Sequence, residues 1–359
     1  MAKKNAIKKW QNEHRIPGKI QSIFTTETDF EGDWKIAFKR YRMHTRLELQ
    51  TPASGVATPQ LVQDIYDYFK RDHIRNIKKN TLQAILRSNG KNQWVFILHT
   101  NIRSAQNSRS IKVLEDFIRR NFPEIIAFHC LSTRPWHDFD LKTPPRAMRY
   151  DLRKNFGPEF FTLAGPHRHL VHALDWLPLN RYPYLQLPER LLQAINPKPD
   201  DFLLEMHCGS GFIGCSMAGH FKKVWCTDAR AISKLSVEEN IKVRQLKNVK
   251  YQQTPAEAKF VHELLVANPG RWTMIVNPQY GNALPGGFIR SLTDSNVERV
   301  LHISSNLPTL AAEVKRWRSS GYMLRKIVPL DLAPQTDNLE IALLFALDRQ
   351  GVLAKKKKY

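Results

Sequence analysis

The sequence predicts an α/β chain. A Rossmann-like seven-stranded sheet, its last strand antiparallel, is expected over residues 181–349, behind an α+β domain over residues 1–180. Three observations carry that expectation. Beyond a proline-rich stretch holding Pro178, Pro183, Pro188, Pro197 and Pro199, strand-like and helix-like runs alternate regularly. A glycine-rich turn joins the first of those strands to its helix. The last two strand-like runs follow one another with no helix between them, which demands an antiparallel ribbon, expected at one edge, because parallel neighbours need a long crossover. A basic tail, residues 350–359, closes the chain.

Within residues 1–180 the apolar spacing is mixed. Ile36–Leu49 alternates as a strand, with Ile36, Phe38, Met43, Leu47 and Leu49 among its apolar positions. Leu61–Phe69 and Ile111–Ile118 have helical spacing. Leu82–Leu86 and Trp94–Leu98 make a strand pair about the turn Asn89-Gly90-Lys91, and Ile125–Phe128 a short strand. Trp34, Phe38, Arg40, Tyr41, Arg42 and Arg46 interleave rings with guanidiniums, the groups that stack on unpaired bases. Arg40, Arg42 and Arg46 are therefore candidate RNA contacts, although any single ring here has a place in a core as its plain alternative.

Past a short helix at Glu189–Ile195, strands are expected at Phe202–Met206, Val224–Thr227, Val249–Gln252, Met274–Val276, Val300–Ser304, Met323–Leu330 and Leu339–Leu347. Helices are expected at Ile213–Phe221, Ile232–Leu246, Pro255–Val266, Phe288–Asn296 and Leu307–Arg318. Alternation of this kind builds a parallel sheet covered on both faces.

Charge narrows the function. Fifty-five Lys and Arg stand against 33 Asp and Glu in 359 residues, a net charge of +22 carried by both halves of the chain. Such a surface suits a polyanion, and nucleic acid is the natural one, since neutralised phosphates release counterions; nothing here specifies DNA. An acidic membrane is the competitor, with only the weakly amphipathic Met1–Trp10 as an anchor. A hydrophobic content of 42% excludes a disordered tail protein. Four cysteines, Cys130, Cys208, Cys215 and Cys226, are too few for a disulfide scaffold, and none forms a CxxC pair, which argues against a structural zinc site. Their use suggests a reducing intracellular compartment, with cytoplasm, nucleus and an organelle matrix such as the mitochondrial one all open. No apolar run is long enough to span a bilayer.

The turn after the first strand reads Glu205-Met206-His207-Cys208-Gly209-Ser210-Gly211-Phe212-Ile213-Gly214. Glycines between a strand and a helix let a ligand approach the backbone, and Asp228, ending the second strand, can hold a ribose diol. A nicotinamide cofactor and S-adenosylmethionine both carry the adenosine such a site accepts. Glu205, suited to a cationic methionine end, and the closing antiparallel ribbon favour the second. A turn that only packs helix on sheet, with Asp228 capping the next helix, is the plain alternative. His207 and His302 face the same strand ends and are given no role.

Leu203-Leu204-Glu205 through Cys208-Gly209-Ser210-Gly211, Val300-Leu301-His302-Ile303-Ser304-Ser305-Asn306, and Asp337-Asn338-Leu339-Glu340 together resemble the uracil-C5 RNA methyltransferase family, its transfer-RNA branch in particular. The resemblance implies a methyltransferase fold dependent on S-adenosylmethionine. Glu205, Cys208, Gly209, Gly211, Asp228 and Asn277 would stand at the cofactor, and Ser305, Glu340 and Asn277 at the reacting base. In that family a cysteine thiolate adds to C6 of uracil, C5 takes the methyl group, and a glutamate removes the C5 proton. Here the nucleophile position is Ser305, Leu307 replaces a proline, and Asp-Pro-Pro-Arg reads Asn277-Pro278-Gln279-Tyr280. A cofactor-contacting glutamine falls on Leu179. A hydroxyl is far harder to ionise than a thiol, so uracil-C5 methylation is expected to be absent.

Two functions follow. The first is an RNA-binding, catalytically degenerate member of the family, holding ribosomal RNA or tRNA as a structural or assembly factor, within a ribosomal particle for example. The glycines and Asp228 argue for retained S-adenosylmethionine and Leu179 against; no metal is implied. The second is an active methyltransferase, on uracil C5 or on an exocyclic amine, since Asn277-Pro278-Gln279-Tyr280 is similar to an Asn-Pro-Pro-Tyr motif in which Tyr280 would stack on the base.

Overall fold

The computed structural model describes residues 2–25, 32–41, 44–51, 56–71, 75–89, 91–100, 105–134, 149–163, 165, 167–177, 180, 184–255, 257–278, 284, 286–292, 295–332 and 339–349. The chain divides into two units, one of residues 1–28 with 183–359 and one of residues 29–182. The first 28 residues thus group with the second half of the chain, not with the domain expected over 1–180. A helix, Ala2–Glu13, buries Ile7 and Trp10 in the core of the large sheet. Trp10 Nε1 donates to the Leu307 carbonyl at 3.0 Å, and Lys3 Nζ meets Asp331 at 2.6 Å. Strands β1 (Lys19–Ile20) and β2 (Phe24–Thr25) then pair in parallel with a strand some 300 residues onward. The apolar face read as the one membrane-anchor candidate is covered by the protein's own interior. A partner so distant in sequence leaves no local signal, which is why periodicity missed it.

The unit of residues 29–182 holds a six-stranded sheet of order β4-β3-β5-β6-β7-β8. Its strands are β3 (Asp33–Tyr41), β4 (His44–Gln50), β5 (Thr81–Ser88), β6 (Trp94–Thr100), β7 (Ile125–Arg134) and β8 (Arg149–Phe156). The run expected as one strand over Ile36–Leu49 is a hairpin, with Tyr41 opposite His44. The sequence carries the reason: apolar residues occupy even positions at Ile36 and Phe38 and odd ones at Leu47 and Leu49, a phase change one flat strand cannot absorb. Helices Gln60–Lys70 and Ala105–Asn121 lay Val62, Ile65, Phe69, Leu114 and Ile118 on Trp34, Ile36, Phe38, Phe96 and Phe128. On the alternate residues of the strands Arg87 is fully buried, its Nε 3.1 Å from Asp33 and its Nη1 donating to the carbonyls of Ala173 and Asp175. Strands β9 (Phe160–Leu163) and β10 (His169–His172) form a separate antiparallel pair.

After a helix at Leu187–Ile195 the larger unit continues with β11 (Phe202–Met206), β12 (Lys223–Asp228), β13 (Val249–Gln253), β14 (Trp272–Val276), β15 (Val297–Ser304), β16 (Tyr322–Asp331) and β17 (Glu340–Leu347). The sheet runs β16-β17-β15-β14-β11-β12-β13. The five inner-to-far strands from β15 to β13 are parallel, and β17 is antiparallel to both its neighbours. This is the methyltransferase-type sheet the sequence predicts, with one difference. The closing ribbon is not at the bare edge: β17 is inserted between β15 and β16, and β1 and β2 cover β16. The apolar run Ile341–Phe345, buried throughout, is what an interior strand requires. The strand order reverses between β11 and β14, so their C-terminal ends open the crevice where ligands of such sheets bind.

Candidate functional site

At the end of β11 the chain turns through His207 at φ +57°, Gly209 at +57° and Gly211 at +73° into the helix Phe212–Met217. A Cβ on Gly211 would lie 2.8 Å from Val237 Cγ2. One on Gly214 would lie 2.6 Å from Glu205 Oε2 and 2.7 Å from Cys226 Sγ. Gly214 is therefore a packing residue that lets the helix sit hard against β11 and β12.

Glu205 shows the consequence. The sequence reading set it toward a cationic ligand. The structure buries it to 1% exposure, with Oε2 accepting from the Gly214 amide at 2.8 Å and facing Cys226 Sγ at 3.6 Å. Burial raises its carboxyl to about 8, against the lowering effect of the Gly214 amide. A group protonated near neutrality and sealed beneath the turn offers no charge to an ammonium.

Cys208 is buried beside the turn, its Sγ 3.5 Å from the Gly209 carbonyl, and burial pushes its thiol up to about 12. Cys215 is raised by its hydrogen bond with Cys226 and by burial, and Cys226 above all by its hydrogen bond with Cys208. Cys130, in the other unit, is raised by burial to about 12. All four thiols of the chain are buried, and none is a thiolate at neutral pH.

Asp228 lies at the end of β12 with 6% exposure. Its Oδ2 accepts from the Gly209 amide at 2.9 Å and Arg230 Nη2 at 3.4 Å. Its Oδ1 accepts from the Arg230 amide at 2.9 Å and Arg230 Nε at 3.1 Å. The next helix, Ala231–Val243, is entered through Arg230, so Asp228 is not its N-cap. Sequence reasoning missed Arg230. The signal was its spacing, two residues past the carboxylate, which is short enough for the guanidinium to fold back.

The family resemblance implies S-adenosylmethionine at this turn. The turn itself, with Gly209 and Gly211 both at positive φ between a strand and a helix, has the form that accepts that group. The carboxylate does not in this arrangement, because a carboxylate offers about four lone-pair directions and four N–H donors hold Asp228.

The other half of the site lies at the ends of β14, β15 and β17. Asn277 follows β14, half-buried, its amide donating to the Met206 carbonyl at 3.3 Å, which ties it to β11. Ser304 pairs in register with Ile341, so Ser305 and Glu340 stand together one step beyond. Ser305 is exposed. The Asn306 side chain caps the helix Leu307–Ser319 by accepting from the Thr309 amide. Glu340 keeps some surface, yet dense packing about its carboxyl raises it to about 7. That places it where a general base works best at neutral pH. The site thus brings together a competent proton acceptor and a hydroxyl, with no ionisable sulfur. His302 is a core group, its Nδ1 accepting from Trp317 Nε1 at 3.1 Å and burial lowering it to about 3.

Of the expected RNA contacts, Arg46 is exposed on β4, in register with Lys39 of β3. The side chain of Arg40, and the residues Arg42, Tyr280 and Leu179, lie outside the described residues. Among the described residues no group of three or more His, Cys, Asp or Glu could hold a metal ion, and no helix is long and apolar enough to cross a membrane.

No family model matches the chain. It is 29% identical over 191 residues to the uncharacterized RNA methyltransferase YljE of Lactococcus lactis subsp. lactis, covering 53% of this chain and 41% of that protein. It is 26% identical over 175 residues to the 23S rRNA (uracil(1939)-C(5))-methyltransferase RlmD of Pseudomonas savastanoi pv. phaseolicola, covering 49% of this chain and 38% of that one. The chain spans less than half the length of these curated relatives. Among solved structures it superposes on the Pyrococcus abyssi tRNA (uracil-54, C5)-methyltransferase, determined with S-adenosyl-L-homocysteine, with a TM-score of 0.65 and 15% identity over 94% of this chain and 81% of that one. At that identity the likeness is one of fold.

Proposed function

We propose that this chain, a relative of the RNA methyltransferases with a uracil-C5 enzyme among its kin, binds structured RNA and does not methylate uracil C5. The observation that carries the reading is the reacting end of the sheet. Glu340 is raised to about 7 beside an exposed Ser305, while every thiol is buried elsewhere. Addition of a hydroxyl to C6 of uracil needs its proton removed, and the acceptor set beside Ser305, Glu340, is the group that removal of the C5 proton also requires. What remains is a basic surface, +22 over the chain, of a kind that holds RNA by its phosphates. Ribosomal RNA or tRNA is the class of partner, and an assembly or structural factor is the role, in a cytoplasmic or mitochondrial setting.

Two measurements test it. A structured RNA is titrated at rising salt, with the affinity expected to fall roughly a thousandfold between 50 and 200 mM if about six phosphates are contacted. The same RNA is incubated with labelled S-adenosylmethionine. Ribothymidine formed at an ordinary rate overturns the reading, and label on an exocyclic amine moves the function to the Asn277 motif. Affinity that ignores salt removes the electrostatic claim.

A further inference from the structure

The ion pair at the end of β12 bears on the nucleoside end of the crevice, and rests on the reading of that crevice as an adenosine site. Asp228 is saturated. Two of its four donors are backbone amides, those of Gly209 and Arg230, and are fixed by the fold. The other two, Nε at 3.1 Å and Nη2 at 3.4 Å, come from the Arg230 side chain. A ribose diol donates two hydrogen bonds and needs those same two positions.

Those two amides hold the carboxylate, and the backbone that carries it is pinned. Tyr251 Oη donates to the Asp228 carbonyl at 3.1 Å and lies 3.4 Å from that of Arg230, and the Thr254 amide donates to the Asp228 carbonyl at 3.1 Å. The soft coordinate is therefore the Arg230 side chain. The pair is well covered, with side chains 15% and 8% exposed, so solvent weakens it little. A cation at the start of the helix Ala231–Val243 also opposes the helix dipole, and Arg230 gives that helix no side-chain cap. Its placement serves Asp228 and not the helix.

We propose that Arg230 is a latch on the nucleoside site: a ligand bearing a free 2′,3′-diol on adenosine enters only when the guanidinium withdraws from Asp228, so the native chain binds such ligands weakly. Arg230 is a positioning residue that holds the ribose carboxylate out of use.

Calorimetric titration with S-adenosylhomocysteine tests this in the full chain. Arg230→Ala is expected to bind at least tenfold more tightly than the native protein, and Arg230→Gln, which keeps the stem and loses the charge, to gain in the same direction. The gain should vanish in Arg230→Ala/Asp228→Asn, and for a 2′-deoxy analogue of the ligand. A merely structural arginine would lower the melting temperature and the affinity together, without regard to the diol. Arg230 variants that bind no more tightly than the native chain overturn the latch, as does absence of binding in every variant. RNA affinity of the same proteins is read in parallel, so that failure of the RNA reading and failure of the latch appear as separate results.

Discussion

The two ends of the crevice differ in kind. At the β11–β12 end, Glu205, Cys208, Cys226 and Asp228 are buried, and their polar atoms are spent on one another, on Gly209 and Gly214, and on Arg230. At the β15–β17 end, Ser305 is exposed and Glu340 retains surface, with its acid poised at about 7. The first end keeps the architecture of a ligand site while its groups satisfy each other. The second stays open to a partner but holds a weak nucleophile. A sheet keeps its shape at a strand end whichever polar groups stand there, because close packing and internal hydrogen bonds supply the folding energy.

The widest contrast is in thiol reactivity. Ser305→Cys puts a sulfur at the exposed end, and a chromogenic disulfide reagent should titrate one thiol in that variant at a rate orders of magnitude above the four native ones. Fast reaction of any thiol in the folded native protein would break the contrast. The next effect is steric. Gly214→Ala forces a methyl into the 2.6 Å approach of Glu205 Oε2, and chemical denaturation should show a loss of about 1–3 kcal/mol.

Protonation sharpens the same comparison. Burial raises Glu205 from 4.5 to about 8, so folding favours its acid form. The stability this gives is complete below about 4.5 and is lost as pH climbs through about 8. Glu340 acts in the same sense between 4.5 and about 7. His302, held near 3 by burial from an ordinary 6.5, acts oppositely and costs stability as pH falls below 6.5. Denaturation midpoints of the native protein should fall from pH 6.5 to 8.5, and Glu205→Gln should flatten most of that fall. An unchanged slope would show that the Glu205 acid is solvated. The smallest effect is expected from Tyr251→Phe, which removes the hydroxyl bracing residues 228–230 and should cost about 1 kcal/mol in the same assay.

Much of the larger unit was legible because its signals are local. Phe202–Met206 is a strand with the expected bounds, β12 to β16 extend the expected runs by a few residues or fewer, and β17 begins one residue later than expected, at Glu340. The glycine turn, Asp228 and Glu340 lie at the strand ends where the pattern put them. The helix expected over Phe288–Asn296 is shorter, ending at Ser291. The Ile36–Leu49 hairpin was legible in principle from the change of apolar phase. The fate of residues 2–25 was not, since their placement depends on β16 and on Leu307.

By itself the sequence determined the α/β alternation, the positive charge and the absence of sulfur at position 305, because periodicity, composition and residue identity are properties of the chain. Tertiary structure alone decided that β17 lies between β15 and β16, that Glu205 is a buried acid under a helix, and that Arg230 occupies Asp228. Those facts depend on which groups meet across long separations, and a carboxylate's state is set by the donors and the solvent around it rather than by its place in the chain.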